Sequence, residues 1–505
     1  MLSKFKYLAV FLLIPPTVFA QKVTYKEQYR PQIHFSPPAH WMNDPNGMVY
    51  YKGTYHLFYQ YYPKATVWGP MHWGHATSAD MVHWKNQPIA LYPDSLGLIF
   101  SGSAVVDYDN TSGFGKNGKP PLVAIFTHHD QAKEKAGKKD TQTESLAYSN
   151  DDGKTWAKYK NNPVLKNPGI SDFRDPNVSW YAAGNKWVMA LATKDRITFY
   201  SSPNLKDWKK ETEFGEHLGG HGGVWECPDL FPMTTADGKK LWVLLVNINP
   251  GGPQGGSATQ YFVGSFDGKT FTTDQVDTRW LDNGTDEYAG VTWHNTGSRR
   301  LFLGWMSNWE YATTVPTKTW RSAMTVPREL KLVKTDARYF VTAVPAKELE
   351  SLKTTTVTLN NLIIKRDKDL TRLVKRSDAQ YELKLSSKVL KSFSITLSNT
   401  TGEHLIIGYD EADKSWYIDR TKAGVSDFNK DFAKRIATKR IATTQGADLT
   451  LIVDAASVEL FADKGLTVMT SIFFPAKPYD KIVLSCPDNF TADNIIYAPL
   501  KSIWH

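Results

Sequence analysis

Cysteine is nearly missing from this chain: Cys227 and Cys486 are the only two in 505 residues. One distant pair cannot make a disulfide framework, so packing must hold the fold and two free thiols are expected. After the first twenty residues no apolar run approaches the roughly 18 residues of a membrane span. There is no HExxH helix, no phosphate loop and no dinucleotide fingerprint. Histidines do come in pairs (His72 and His75, His128 and His129, His217 and His221). Without cysteine beside them they read as hydrogen-bonding groups, His72 and His75 between neighbouring blades, and neither a metal nor another cofactor is expected. Long amphipathic helices are absent as well. Charge of neither sign dominates, the formal net being +9. The two lysine runs, AKEKAGKKD (132–140) and KRDKDLTRLVKR (365–376), lack the interleaved aromatics of a single-strand nucleic-acid groove. They read as solvated loops, with no nucleic-acid partner.

Aromatics are plentiful: 17 Trp, 24 Tyr and 24 Phe. Most must serve the core, but rings with an apolar face and a polar edge also suit an extended polar ligand. The length calls for two domains. The start, MLSKFKYLAVFLLIPPTVFAQ, sets Lys4 and Lys6 before a short apolar run and ends on Val18-Phe19-Ala20. That is the pattern of a signal peptide cleaved after Ala20, giving an exported protein, periplasmic or extracellular, with no membrane span.

From about residue 24 to 335 short strand-like runs alternate with Gly, Pro, Asn and Asp clusters; GTYHLFYQYY (53–62), PLVAIFTHH (121–129), NKWVMALAT (185–193) and KLWVLLVNIN (240–249) are examples. A loose repeat of serine, turn and aromatic recurs at SADMVHWKN (78–86), SNDDGKTWAKY (149–159), SSPNLKDWKK (201–210) and SFDGKTFTTD (265–274). Repeats of that period built from short strands point to propeller blades, and a further blade between Asp286 and Pro327 brings the number to about five. Beyond about residue 345 aromatics thin out and polar and apolar residues alternate, as in YELKLSS and SFSITLSN, with a hairpin at ADKG (462–465). That is the pattern of an antiparallel β-sandwich. The expectation is an all-β chain: a signal peptide at 1–20, a five-bladed β-propeller at 21–340 and a β-sandwich at 341–505.

Within WMNDPNG (41–47) the proline clashes with a helical conformation at Asp44, and Asn46-Gly47 can take positive φ. Asp44 is therefore expected at a strand edge entering a stiff turn. The device recurs at FRDP (173–176) and, displaced by one residue, at WECP (225–228). Each of these signals alone is commonly structural. Three carboxylates beside prolines and aromatics in an exported all-β protein suggest a glycosidase, whose reaction needs a proton donor at the bridging oxygen and an anion beneath an oxocarbenium-like carbon.

These three blocks, in this order, resemble those of glycoside hydrolase family 32, the β-fructofuranosidases. The resemblance extends through HFSPPAHWMNDPNG (34–47), LFYQYYP (57–63), WGPMHWGHATS (68–78), FSGSAV (100–105), GGVWECPDLFP (222–232), GGSATQYFVGSFDG (255–268), GWMSNW (304–309), WRSAMTVPREL (320–330) and IVDAASVELFADKG (452–465). It implies a propeller joined to a sandwich, cleaving β-fructosides with retention. It also implies Asp44 as nucleophile, Glu226 as acid/base, and Asp175 as transition-state stabiliser fixed by Arg174. Asn43, Gln60, Trp68, Phe100, Ser101 and Trp305 would complete the sugar pocket, with Asp282 and Tyr288 near its rim. Mutual repulsion and desolvation are expected to raise the Glu226 carboxyl relative to Asp44. The implied partner is a fructan such as levan or inulin, or sucrose, attacked from its end by a monomer or simple homo-oligomer. An endo-levanase, a fructan-building transferase and a silent fructan-binding protein are the alternatives.

Overall fold

The computed structural model describes residues 24–375 and 379–504; the expected cleavage after Ala20 lies outside them. Five antiparallel sheets surround one axis. Their first strands are His40–Tyr51, Leu98–Val106, Phe173–Tyr181, Val224–Thr234 and Tyr288–Thr292, which neighbour one another in a closed ring. The runs singled out in the sequence become the second strands of blades I to IV, Thr54–Tyr62, Leu122–His129, Lys186–Thr193 and Lys240–Asn249. They lie mid-sheet with both faces covered, hence their near-continuous hydrophobicity. Parallel pairing of His40 and Trp41 with Trp320 and Arg321, and a parallel bridge between Val49 and His294, join blade I to late segments of the propeller.

The serine–turn–aromatic repeat has a physical basis. In blades I to IV it connects the third strand to the outermost one. In blade I the Ser78 hydroxyl accepts from the Asp80 amide, and Asp80 Oδ1 accepts from the Val82 and His83 amides. Blade III does the same with Ser202, Asn204, Lys206 and Asp207. The side chains satisfy the turn amides, and the tryptophan then closes over the turn, as Trp208 does by donating to the Leu205 carbonyl at 2.9 Å. Blade V carries no copy because its turn, Asp336-Ala337, places both residues at positive φ and needs no side-chain bracket.

The last blade V strand, Arg338–Pro345, runs past residue 340, a short 3-10 segment follows at Lys347–Leu352, and the first strand of the second domain is Val357–Ile364. That domain is a sandwich of two six-stranded sheets. Strand Phe393–Ser398 alternates buried and half-buried residues as the sequence pattern requires. Strands Ser457–Ala462 and Thr467–Ile472, which form the hairpin at ADKG, are buried on both faces. Leu460 and Met469 face the sandwich core, while Phe461 and Val468 join propeller residues Phe231, Val243 and Leu330 in one apolar cluster.

His75 does not bridge blades. Its Nε2 lies 3.1 Å from His56 Nδ1 on the adjacent strand of the same blade, and His72 Nδ1 bonds the Pro70 carbonyl in its own loop. Among the described residues no cluster of metal-ligating side chains occurs, both cysteines are free, and no helix is long and apolar enough to cross a membrane.

Candidate active site

The WMNDPNG stretch does not reverse the chain. It lies inside one continuous strand, His40–Tyr51, broken in register between Met42 and Pro45 and again between Asn46 and Val49. Proline has no amide hydrogen for the ladder and Gly47 sits at φ +57°, so the two turn signals produce two bulges. FRDP and WECP behave likewise, with bulges at Asp175-Pro176 and Cys227-Pro228, and Asp175 and Cys227 at φ +64° and +42°. Blades II and V bulge at Phe100-Ser101 and Ala289-Gly290. Every inner strand thus carries one two-against-one bulge near its N-terminal end, and together they ring one mouth of the axis. Gly102 closes the blade II bulge by necessity, since a Cβ there would stand 2.0 Å from the Ile125 carbonyl oxygen.

Asp44, Asp175 and Glu226 line a single cavity of about 370 Å3. Asp44 Oδ2 accepts from Ser101 Oγ at 3.2 Å, whereas its enclosed Oδ1 has no protein partner. Asp175 Oδ2 accepts from the Cys227 amide at 3.0 Å, and the Cys227 thiol lies 3.6 Å from Asp175 Oδ2 and 3.9 Å from Asp44 Oδ2. The backbone of one acid's strand therefore fixes another acid. The strained Asp175 amide donates to Thr127 Oγ1, whose hydroxyl in turn donates to the buried Glu144.

Arg174 does not clasp Asp175 as expected. Its Nε and one terminal nitrogen donate to Glu226 Oε1 at 3.1 and 2.9 Å, its other terminal nitrogen donates to Asp172 at 2.7 Å, and the nearest Asp175 oxygen is 4.0 Å away. Glu226 Oε2 accepts from the Tyr288 hydroxyl, whose own ionisation is pushed far up by burial and by the Glu226 charge. Burial, then the charge of Glu226, pushes Asp44 up to about 6. Burial also raises Asp175, with the Glu226 charge adding to it and Arg174 opposing.

Asn43, Gln60, Trp68, Phe100, Ser101 and Arg174 all line the cavity with the three acids. Gln60, with its amide turned to satisfy both ends, donates to the Ile99 carbonyl and accepts from the Ser101 amide, tying blade I to blade II beneath the acids. Trp305 does not reach the cavity. It is fully buried among Trp41, Trp309 and Tyr288, and the ring that lines the cavity from this segment is Trp309. Neither rim candidate is at a rim. Asp282 is buried at the domain interface, where Oδ2 accepts from Arg328 at 2.9 Å and from the Thr470 hydroxyl at 2.6 Å. Tyr288, equally buried, is the hydroxyl on Glu226. Sequence reading missed Gln142, His129, Glu134 and Asp172. Its only signals for them were the His128-His129 pair and the lysine run that contains Glu134.

The description "Glycosyl hydrolases family 32 N-terminal domain" matches residues 34–343, and "Glycosyl hydrolases family 32 C terminal" matches 348–496. A levanase of Bacillus subtilis is 45% identical over 492 residues, covering 95% of this chain and 72% of the relative. An extracellular exo-inulinase of Aspergillus ficuum is 39% identical, covering 90% of this chain and 91% of its own. The crystal structure of exo-inulinase from Aspergillus awamori superposes with a TM-score of 0.86 at 36% identity, over 95% of this chain and 100% of that one. With both of its domains matched and the three acids in one cavity, the chain belongs to glycosyl hydrolase family 32.

Proposed function

We propose that this protein is an exported, retaining β-fructofuranosidase that removes terminal fructosyl units from fructans such as levan or inulin, and from sucrose. The observation that carries the reading is the convergence of Asp44, Asp175 and Glu226 on one cavity of about 370 Å3, within the size range of small-ligand sites. Asp44, with one oxygen held by Ser101 and the other unpartnered, attacks the anomeric carbon. Glu226 protonates the departing oxygen and afterwards takes a proton from water. Asp175, fixed through the Cys227 amide, accepts from ring hydroxyls, and this contact strengthens as the carbon becomes cationic. Arg174 and Tyr288 hold Glu226 by opposite oxygens, so the proton it delivers is aimed from a fixed position. Similarity to exo-inulinases supports release from a chain end.

Incubation with levan, inulin and sucrose, with products sized over time, tests this reading. Fructose alone at the earliest times is expected. Oligosaccharides at those times would replace the exo reading with an endo one, and no release from any of the three would reject it altogether. Early NMR spectra should show the β-anomer of fructose as the first-formed product, and an α-anomer would exclude retention. Export is tested by the N-terminus of the mature protein, which should be Gln21.

A further inference from the structure

The cavity has a wall that the catalytic roles leave unused. Gln142 Oε1 accepts from the Phe173 amide at 2.8 Å and lies 3.4 Å from an Arg174 nitrogen, which fixes the orientation of its amide. Its Nε2 therefore faces His129 Nδ1, at 3.4 Å, as donor. His129 is left to donate through Nε2 to Glu134 Oε2, at 3.0 Å. The His129 ring lies parallel to Phe100, with centroids 4.5 Å apart at 5°, and Trp68 packs edgewise on Phe100. Glu134 rides on the short helix Gln131–Lys135. Asp130 caps that helix, and an ion pair between Lys133 and Asp140 at 2.7 Å staples the segment closed. Glu134 is thus a positioned carboxylate with its side chain 60% exposed, and Oε1 makes no hydrogen bond within the described protein.

Gln60 and Asp175 are buried in the cavity and Asp44 and Glu226 half-buried, whereas Glu134, Trp68 and Ser171 are exposed around its opening beside the half-buried Asp172. A fructosyl unit seated on Asp44 and Asp175 sends its glycosidic oxygen toward Glu226, and the next sugar of the chain then occupies the opening. We propose that Glu134, oriented by His129, is a specificity-determining residue that accepts hydrogen bonds from hydroxyls of the leaving-group sugar. It takes no part in proton transfer. This rests on the β-fructosidase reading above.

The test compares a fructosyl disaccharide with methyl β-fructofuranoside, whose leaving group has no hydroxyls to offer, as substrates of the full-length enzyme and of Glu134→Ala and Glu134→Gln. Loss of a charge-assisted hydrogen bond predicts that kcat/KM for the disaccharide falls about tenfold in Glu134→Ala. Hydrolysis of the methyl fructoside should stay within about twofold, and Glu134→Gln, which keeps an acceptor, should be intermediate. His129→Ala, which removes the support, should reproduce the loss on the disaccharide. Equal losses on both substrates would reduce Glu134 to a structural part of the wall, and an unchanged ratio in a folded variant would also overturn the proposal. If the unmodified enzyme turns over neither substrate, it is the β-fructosidase reading that fails.

Discussion

As the proposed nucleophile, Asp44 has conflicting demands. A nucleophile must be ionised, yet burial and the neighbouring Glu226 charge lift its carboxyl from 3.8 to about 6. A folded-state value above the unfolded one means that ionised Asp44 destabilises the fold. The penalty is absent below about pH 4 and complete above about pH 6. Replacement by Asn removes the charge and keeps the shape. Asp44→Asn is therefore expected to abolish turnover and to stabilise the protein at pH 7 by about 3 kcal/mol. Thermal melts of both proteins from pH 4 to 8 should show the difference shrinking as the pH falls; a variant that melts lower than its parent at pH 7 would contradict the assignment. The same group sets the acid limb of the reaction, and kcat/KM should fall as the pH drops through about 6. Glu226→Gln should lower kcat on a fructan by about 10² to 10⁴, because the leaving oxygen then departs without a proton.

At the scale of single elements, the sequence carried the blades well and the bulges poorly. Second strands and hairpin turns are local: continuous apolar runs and serine–aspartate brackets specify them within ten residues. A bulge is specified by a pair of strands. D-P and N-G read as a stiff turn at Asp44, but only the partner strand decides whether the chain turns or continues, and here it continues. The same limit explains Trp305 and Trp309. Both lie in GWMSNW, and nothing in their spacing says which ring faces the cavity. It explains Arg174 too, since its pairing with Glu226, 52 residues on, depends on how blades III and IV meet. The blade II element that supports the Asp175 bulge is likewise invisible in sequence: Thr127 accepts from the Asp175 amide at 3.0 Å and donates to Glu144 at 2.7 Å. Thr127→Val keeps the shape and leaves both groups unpaired. It should cost about 1–3 kcal/mol in denaturant unfolding and reduce kcat, since Asp175 loses its backbone anchor. Unchanged kcat in a destabilised variant would confine Thr127 to a structural role.

Across the whole molecule, the segment LDNGTDEYAG (281–290) connects the sandwich to the chemistry. Asp282 and Asp286 bind Arg328, Thr470 and Arg420 at the domain interface, and two residues later Tyr288 bonds Glu226. The sandwich thereby holds one of the two groups that fix Glu226, the proposed acid/base, so its place in the enzyme is more than that of a cover. The same interface contains His34, fully buried, with Nδ1 2.7 Å from Asp454 and Nε2 2.9 Å from Glu459, the latter also bound by Arg328. Burial alone would lower the affinity of the ring for its proton, but hydrogen bonds to two carboxylates outweigh it and raise His34 from 6.5 to about 9. Because the folded value exceeds the unfolded one, the stabilisation is fully present below about pH 6.5 and is lost as the pH rises through 9. Breaking such a network by removing one partner costs about 3–5 kcal/mol, since the remaining carboxylates stay buried. His34→Gln should therefore melt well below the parent at pH 6, and the gap should narrow toward pH 10 as the parent loses its own proton. Calorimetry across that range checks both halves of the expectation, and a gap that stays constant with pH would show that His34 is not charged in the folded protein.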